Sequence, residues 1–128
     1  MLIIQSYVCT GTQFTAYDRG TNPKKNLENR RAELAHIVYQ INPMGFNGPR
    51  KFCTVLPSVD QTEGKRSDIR PSSSSESLAR KIKKKDFSEI IVLENKEPEW
   101  NDQARTYQLD FKNRVSEVSG KSFLLKIF

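Results

Sequence analysis

Residues 11–23 read Gly-Thr-Gln-Phe-Thr-Ala-Tyr-Asp-Arg-Gly-Thr-Asn-Pro, and this stretch predicts a strand that ends in a structured loop. Residues 12–17 alternate with a period of two, which is typical of a strand with one buried face. Gly20 can adopt a positive φ in the loop that follows, and Pro23 restricts Asn22 to an extended conformation. The chain is therefore expected to turn sharply after the strand.

Short strand-like segments recur along the rest of the chain. Each is rich in β-branched or aromatic residues and is bounded by turn residues, and together they are residues 2–9, 51–56, 88–93, 106–111, 114–118 and 122–128. A turn over residues 42–49 follows residues 31–41, where the apolar spacing fits a helix and the composition favours a strand. Short strands at this spacing favour a β-barrel or a sandwich.

A chain of 128 residues and 14.7 kDa predicts a single domain over residues 1–128. Within it, residues 58–77 predict a polar loop, and residues 77–82 predict one or two helical turns. No run approaches the roughly 20 apolar residues that span a bilayer, so membrane contact is expected to be peripheral. The two cysteines, Cys9 and Cys53, are too few for a zinc site or a disulfide-stapled fold, which favours a reducing compartment.

Catalytic chemistry finds little support in the sequence. His36 is the single histidine, and its apolar neighbours favour a packed side chain over a general base. The carboxylates are scattered beside Lys and Arg, as in solvated surface pairs, and the sequence has no glycine-rich phosphate loop. We therefore predict a protein that is not an enzyme, with no cofactor and no metal site.

The net charge of +6 and the pI near 9.4 favour acidic partners, and they do not distinguish lipid head groups from nucleic acid. Five cations within six residues predict a nonspecific basic patch, with a solvated surface or a nuclear-import signal as alternatives: Arg80, Lys81, Lys83, Lys84 and Lys85. A second group lies around Asn22, where cations could contact phosphate oxygens from two sides: Lys24, Lys25, Arg30 and Arg31.

The pattern Gly-Thr-x-Phe-Thr-x-Tyr-Asp-x-Gly-x-Asn-Pro in residues 11–23 resembles the opening of the tubby domain. The resemblance continues to residue 115 through collinear motifs, among them Glu33-Leu-Ala35, Gly48-Pro-Arg-Lys51, Ile69-Arg-Pro71, Leu78-Ala-Arg80 and Trp100-Asn-Asp102. It implies a mainly β fold, an antiparallel barrel around an apolar helix from the C-terminal end of the domain, with a strand at residues 31–41. That helix is not in this sequence, so an incomplete tubby-type barrel is expected.

Tubby-like proteins bind phosphatidylinositol 4,5-bisphosphate and use no chemical cofactor, so the resemblance implies a lipid-head-group site. By position it assigns phosphate contacts to Asn22 and Arg31, and Lys24 and Lys25 add attraction beside them.

Two departures from the family pattern predict a divergent member with weaker binding. A Lys-x-Arg pair of the family falls on Ile4 and Ser6, and Asn113 stands where a Gly is usual. Losing two charge-assisted phosphate contacts, at roughly 1.5–3 kcal/mol apiece, is expected to weaken binding a hundredfold or more.

The same resemblance implies a cytoplasmic adaptor, peripheral at the plasma or ciliary membrane, that carries receptor cargo with trafficking complexes into cilia. Two alternatives remain open at this point. Tubby domains have also been proposed as transcription modulators, which would place the chain in the nucleus on nucleic acid. The other alternative is a truncated product without independent activity.

Overall fold

The structure, a computed structural model, describes residues 3–6, 12–40, 48–117 and 122–128. Short strands dominate these ranges: β1 (Ile3–Ser6), β2 (Gln13–Tyr17), β3 (Glu33–Tyr39), β4 (Phe52–Pro57), β5 (Ile90–Asn95), β6 (Glu99–Asn101), β7 (Thr106–Gln108) and β8 (Leu125–Ile127). The helical elements of the same ranges are α1 (Leu78–Lys84) and a 3-10 helix (Ser74–Glu76).

Six of the strands form one antiparallel sheet in the order β1-β2-β3-β4-β5-β8, and β6 and β7 form a separate hairpin. One row of residues crosses four strands, because Thr15 pairs with His36, His36 with Val55 and Val55 with Val92. Within the described ranges β1 and β8 have one neighbour each, so the sheet is not closed into a barrel. The predicted fold class, mainly β with a partial antiparallel barrel, is confirmed in this open antiparallel sheet.

The ambiguous segment at residues 31–41 contains β3, which confirms the strand implied by the resemblance. Ile37 illustrates the reason, because it pairs with Phe14 of β2 on one side and with Thr54 of β4 on the other. Two ladders of backbone hydrogen bonds outweigh a weak local preference for helical spacing. Most of the predicted turn that links β3 to β4, residues 42–47, lies outside the described residues.

The prediction of a strand at residues 114–118 is wrong for residues 114–117, and residue 118 lies outside the described part of the chain. Lys112 and Asn113 have positive φ values of 51° and 62°, and the Asp110 carboxylate accepts a hydrogen bond from the Lys112 amide at 2.7 Å. The chain therefore turns in a left-handed conformation just before the segment, and residues 114–117 join no ladder.

Other boundaries differ by a few residues. The strand predicted at residues 106–111 ends at residue 108, and the one predicted at residues 122–128 is restricted to β8. Of residues 2–9, only residues 3–6 are described, and they form β1. The sequence pattern does not predict β6, which is three residues long and has no buried side chain.

The core lies between one face of the sheet and α1. Val55 and Val92 extend from β4 and β5, and Leu78 of the helix packs against them together with Ile69 and Ile90. Ile82, one turn after Leu78, lies against the same cluster because residues four apart share a helix face. The apolar stripe of α1 therefore fixes the helix to the sheet, and the other faces of the helix carry its polar and basic side chains.

Aromatic rings follow one another across the strands. The ring of Tyr39 lies 6.0 Å from Phe14 and 5.2 Å from Phe52, and Phe123 lies 5.1 Å beyond Phe52, measured between centroids. Phe14, Tyr39 and Phe52 are half-buried, and Phe123 is 54% exposed. No helix among the described residues is long and apolar enough to cross a membrane.

Leu78→Ala should lower the free energy of unfolding by about 2–5 kcal/mol, because truncating a fully buried side chain leaves a cavity. Urea unfolding followed by circular dichroism measures the change. Leu27→Ala is the control, since Leu27 is 54% exposed and its truncation should change stability by less than about 0.5 kcal/mol. Equal losses in the two variants would contradict a core centred on α1.

Candidate functional site

A cleft of about 840 Å³ opens between β2, the loop that joins β2 to β3, and α1. Four cations and one carboxylate line it: Lys24, Arg31, Arg80, Lys83 and Glu33. The remaining polar lining is uncharged at neutral pH and includes Asn22 and a run of serines at residues 72–75. The cleft is therefore strongly positive and has hydrogen-bonding groups on several sides.

The floor of the cleft comes from the alternation of β2. Gln13, Thr15 and Tyr17 are two residues apart, so they lie on one face of the strand, and all three line the cleft. The Thr15 hydroxyl lies 2.8 Å from Nδ1 of His36, and both side chains are buried. Burial, followed by the charge of Lys83, lowers the pKa of His36 to about 4, so its imidazole is neutral at physiological pH.

The loop after β2 is fixed by the Asp18 carboxylate. One oxygen accepts hydrogen bonds from the backbone amides of Gly20 and Ala32, each at 2.9 Å, and the other pairs with the Arg70 guanidinium at 3.0 Å. Burial acts to raise the pKa of Asp18, but the two amides and Arg70 hold it below its usual value. The start and the end of the loop are thus tied to one ionised group.

Gly20 lets the two ends of the loop approach each other closely. A Cβ atom on Gly20 would lie 2.4 Å from the Cα atom of Arg31, a distance that no side chain could occupy. The Arg31 amide also donates to the Thr21 carbonyl at 2.9 Å, and its guanidinium carbon lies 3.5 Å from the centroid of the Tyr17 ring. Backbone contact and cation–π stacking together position the Arg31 guanidinium over the floor of the cleft.

Asn22 organises the turn that carries Lys24. Its side-chain oxygen accepts from the Lys24 amide at 3.0 Å, and its backbone carbonyl accepts from the Lys25 amide at 2.8 Å. An asparagine amide also has two N–H donors, the kind of group that can contact an anion. Of the two lysines, Lys24 lines the cleft, and Lys25 is exposed outside the lining.

The basic run at residues 80–85 is divided among the faces of α1. Arg80 and Lys83, three residues apart, line the cleft, whereas Lys81 and Lys84 line a second, smaller cavity. Lys81 also forms ion pairs with Glu89 at 2.9 Å and with Asp86 at 3.7 Å.

Lys85 ends the run as the C-cap of α1, with a left-handed backbone (φ 55°) and an exposed side chain. Its backbone amide donates to the carbonyls of the last turn of the helix. The single basic patch predicted from the sequence therefore consists of two cations inside the cleft and three outside it.

Glu33 connects β3 to the start of α1. Its carboxylate accepts a hydrogen bond from the Leu78 amide at 2.7 Å, and the residue is 6% exposed. Burial raises the pKa of Glu33, although the Leu78 amide and the charge of Arg31 act against the rise. The helix that supplies Arg80 and Lys83 is held at its first turn by this buried contact.

The structure thus brings together five of the nine predicted site residues: Asn22, Lys24, Arg31, Arg80 and Lys83. Sequence reasoning missed the floor residues, although the period-two alternation of residues 13, 15 and 17 carried the necessary signal. The serines at residues 72–75 gave no signal of proximity to the cleft. No group of three or more His, Cys, Asp or Glu in the described ranges could hold a metal ion.

Comparison with known families matches residues 6–127 to the Tub family, which is nearly the whole chain. The chain belongs to the Tub family. It is 40% identical over 119 residues to Tubby protein homolog 1 of Caenorhabditis elegans, 41% over 118 residues to Tubby-related protein 3 of Mus musculus and 38% over 117 residues to Tubby-related protein 1 of Homo sapiens. Each alignment covers 88% of this chain.

Family membership confirms the resemblance drawn from residues 11–115. This Tub family chain spans a minor part of the relatives it matches, 28% of the worm protein, 25% of the mouse protein and 21% of the human protein.

His36 should titrate near pH 4, because burial and the Lys83 charge both disfavour its protonated form. Its ordinary pKa is 6.5, so as the pH falls the unfolded chain binds the proton first. The stability contributed by neutral His36 is complete above pH 6.5 and is lost as the pH falls toward 4.

Proton NMR reads this pKa directly, because the chain has one histidine. The direct reading is preferable to a stability curve, since the raised pKa of Glu33 acts on stability in the opposite direction. Lys83→Gln should raise the His36 pKa, and Lys84→Gln should leave it unchanged. A pKa near 6.5 in the folded chain would contradict the buried Thr15–His36 pair.

Proposed function

We propose that this chain is the lipid-binding part of a peripheral membrane adaptor, and that the cleft holds the head group of phosphatidylinositol 4,5-bisphosphate. The observation that carries the proposal is the convergence of four cations from separate segments on one cleft of about 840 Å³. A bisphosphorylated inositol ring presents several phosphate oxygens in a compact volume. Cations on opposite rims can contact such an anion from two sides.

Preorganisation supports the assignment of Arg31 as the central ligand. Its backbone is held against Gly20, and its guanidinium stacks on Tyr17, so little side-chain freedom remains to be lost on binding. A planar guanidinium can also donate two parallel hydrogen bonds to one phosphate group. Asn22 and Lys24 would contact the same ligand from the loop, and Arg80 and Lys83 from the helix.

The cations outside the cleft would supply a weaker and less specific attraction. Lys25, Lys84 and Lys85 have exposed side chains, and a basic residue near an anionic leaflet contributes about 1 kcal/mol. The proposal therefore has two parts, a head-group site in the cleft and a general affinity for negative membranes around it. Together they would place the protein at the cytoplasmic surface of the plasma or ciliary membrane.

The proposed adaptor role is based on family membership. In this role the protein would bind receptor cargo and trafficking complexes as well as the membrane. A binding role is favoured over catalysis, because His36 is 1% exposed and its pKa, lowered to about 4, makes it a weak base at neutral pH. A nuclear role on nucleic acid is less favoured. A concave cleft suits a compact polyphosphate better than an extended phosphate backbone, which needs cations spread along a surface.

Lys83→Gln should weaken binding to vesicles of phosphatidylcholine with phosphatidylinositol 4,5-bisphosphate by about tenfold, since a charge-assisted contact contributes roughly 1.5–3 kcal/mol. Lys84→Gln is the matched control, because it removes the same charge one residue away on the same helix and outside the cleft. Co-sedimentation measures both. Arg31→Gln should weaken binding by ten- to a hundredfold, with folding checked by circular dichroism.

Vesicles in which phosphatidylserine supplies the same net charge are the control. They distinguish binding at a specific head-group site from general electrostatic attraction to a negative membrane. The proposal requires stronger binding to the bisphosphorylated lipid and a larger loss for Lys83→Gln than for Lys84→Gln. An equal loss of binding in the two lysine variants would show that the protein responds only to net charge and would contradict a specific site in the cleft. Preferential binding to duplex DNA, with a steep dependence on salt, would favour the nuclear alternative instead.

A further inference from the structure

A run of four serines forms the part of the cleft rim that precedes α1. Ser72, Ser73, Ser74 and Ser75 are all exposed, and all four line the cleft that also contains Arg31, Arg80 and Lys83. A serine hydroxyl carries no charge, so these residues add hydrogen-bonding groups to the cleft and leave its positive charge unchanged. Once phosphorylated, however, each would carry a charge of about −1.5 to −2 at neutral pH.

We propose that Ser73 is a phosphorylation site, and that its phosphate group occupies the cleft and excludes anionic ligands from it. The proposal deepens the proposed function, because it supplies a means of regulating the same site. A tethered phosphate competes at an effective concentration of about millimolar. It would therefore have the advantage over a head group that must be captured from the membrane.

The hydrogen bonds of the segment distinguish Ser73 from its neighbours. The Ser72 hydroxyl donates to the Glu76 carboxylate at 3.0 Å, so a phosphate there would meet a like charge. The Ser77 hydroxyl donates to the Ser74 carbonyl at 2.8 Å and accepts from the Arg80 amide at 3.2 Å, so its modification would remove the N-cap of α1. Neither position accepts a phosphate without a structural penalty.

Ser75 and Ser74 are also less suitable than Ser73. Ser75 lines the second cavity as well as the cleft, so a phosphate there would not be directed to the cleft alone. That cavity contains three carboxylates and three cations: Glu76, Asp86, Glu89, Arg70, Lys81 and Lys84. Ser74 and Ser75 lie within the 3-10 helix, whereas Ser73 precedes it with an extended backbone (φ −141°, ψ 166°). The Ser73 hydroxyl lies 2.7 Å from the Ser75 hydroxyl on the exposed rim.

The reaction is phosphoryl transfer from a nucleoside triphosphate by a serine kinase. The Ser73 hydroxyl oxygen forms the new O–P bond, the bond from the γ-phosphorus to the bridging oxygen breaks, and the nucleoside diphosphate leaves. The hydroxyl proton passes to a base of the kinase. Charged residues flank the serine, Arg70 three positions before it and Glu76 three positions after it, and kinases select substrates by such charge patterns.

Accessibility to kinases is tested on the folded chain with a eukaryotic cell extract and ATP, and the modified positions are mapped by mass spectrometry. Phosphate on Ser73 that disappears in Ser73→Ala is the expected result. A folded chain that acquires phosphate elsewhere, or not at all, would overturn the assignment of Ser73 as a phosphorylation site.

The effect on binding is tested with chains that carry phosphoserine introduced during translation at position 73 or at position 116. Ser116 is exposed and does not line the cleft, so it adds the same charge without entering the site. Phosphoserine at position 73 should weaken binding to phosphatidylinositol 4,5-bisphosphate vesicles at least tenfold more than phosphoserine at position 116. Equal effects would show that the added charge acts only through general repulsion and would overturn the proposal.

A second readout needs no lipid. The second ionisation of a phosphoserine has a pKa of about 6, and nearby cations lower it. Phosphorus NMR should find a lower pKa at position 73 than at position 116, and Lys83→Gln should raise it at position 73 only. Identical titrations would refute occupancy of the cleft. If the unmodified chain shows no lipid preference, the proposed function fails, and this titration still decides the present inference.

Discussion

The Asp18 carboxylate links three segments that would otherwise be independent. It accepts hydrogen bonds from the backbone amides of Gly20 and Ala32, at the two ends of the loop between β2 and β3. It also forms an ion pair with Arg70, which lies in the irregular segment before α1. Arg70 in turn donates to the Arg30 carbonyl at 2.8 Å, and the Arg30 side chain donates to the Arg70 carbonyl at 2.6 Å. The position of Arg31, and through it one wall of the cleft, depends on this network.

The helix α1 determines which cations of the basic run at residues 80–85 belong to the cleft. Its apolar stripe, Leu78 and Ile82, fixes the helix to the sheet, and Ser77 and Glu33 fix its first turn. The helical period then determines which surface each remaining residue of α1 faces. Lys83 therefore faces the cleft, whereas its neighbour Lys84 faces the second cavity. Charge composition indicates an acidic partner, but only this geometry separates a ligand-binding cation from a solvated one.

Much of the sheet could be predicted from the sequence, because period-two alternation and β-branched composition are local properties. β3 required the family resemblance, since its spacing also fits a helix. Residue type indicates the turn at Lys112 and Asn113 only in part. Asparagine often adopts a positive φ, and Asn113 stands where the family usually has Gly, but a lysine gives no such indication. The alternation of β2 indicates that residues 13, 15 and 17 share the face that forms the floor of the cleft. It does not indicate that Thr15 contacts His36, which lies 21 residues away on another strand.

The cleft is built from residues 13–36 and 71–83, which are far apart in the chain and adjacent only in the folded state. An anion that bridges Arg31 and Arg80 would therefore bind the folded chain and not the unfolded one. By mass action, a ligand at one hundred times its dissociation constant stabilises the fold by about 2.7 kcal/mol. In the proposed complex, the folded population of this open sheet would rise with the local concentration of head groups, so folding and membrane attachment would be thermodynamically linked.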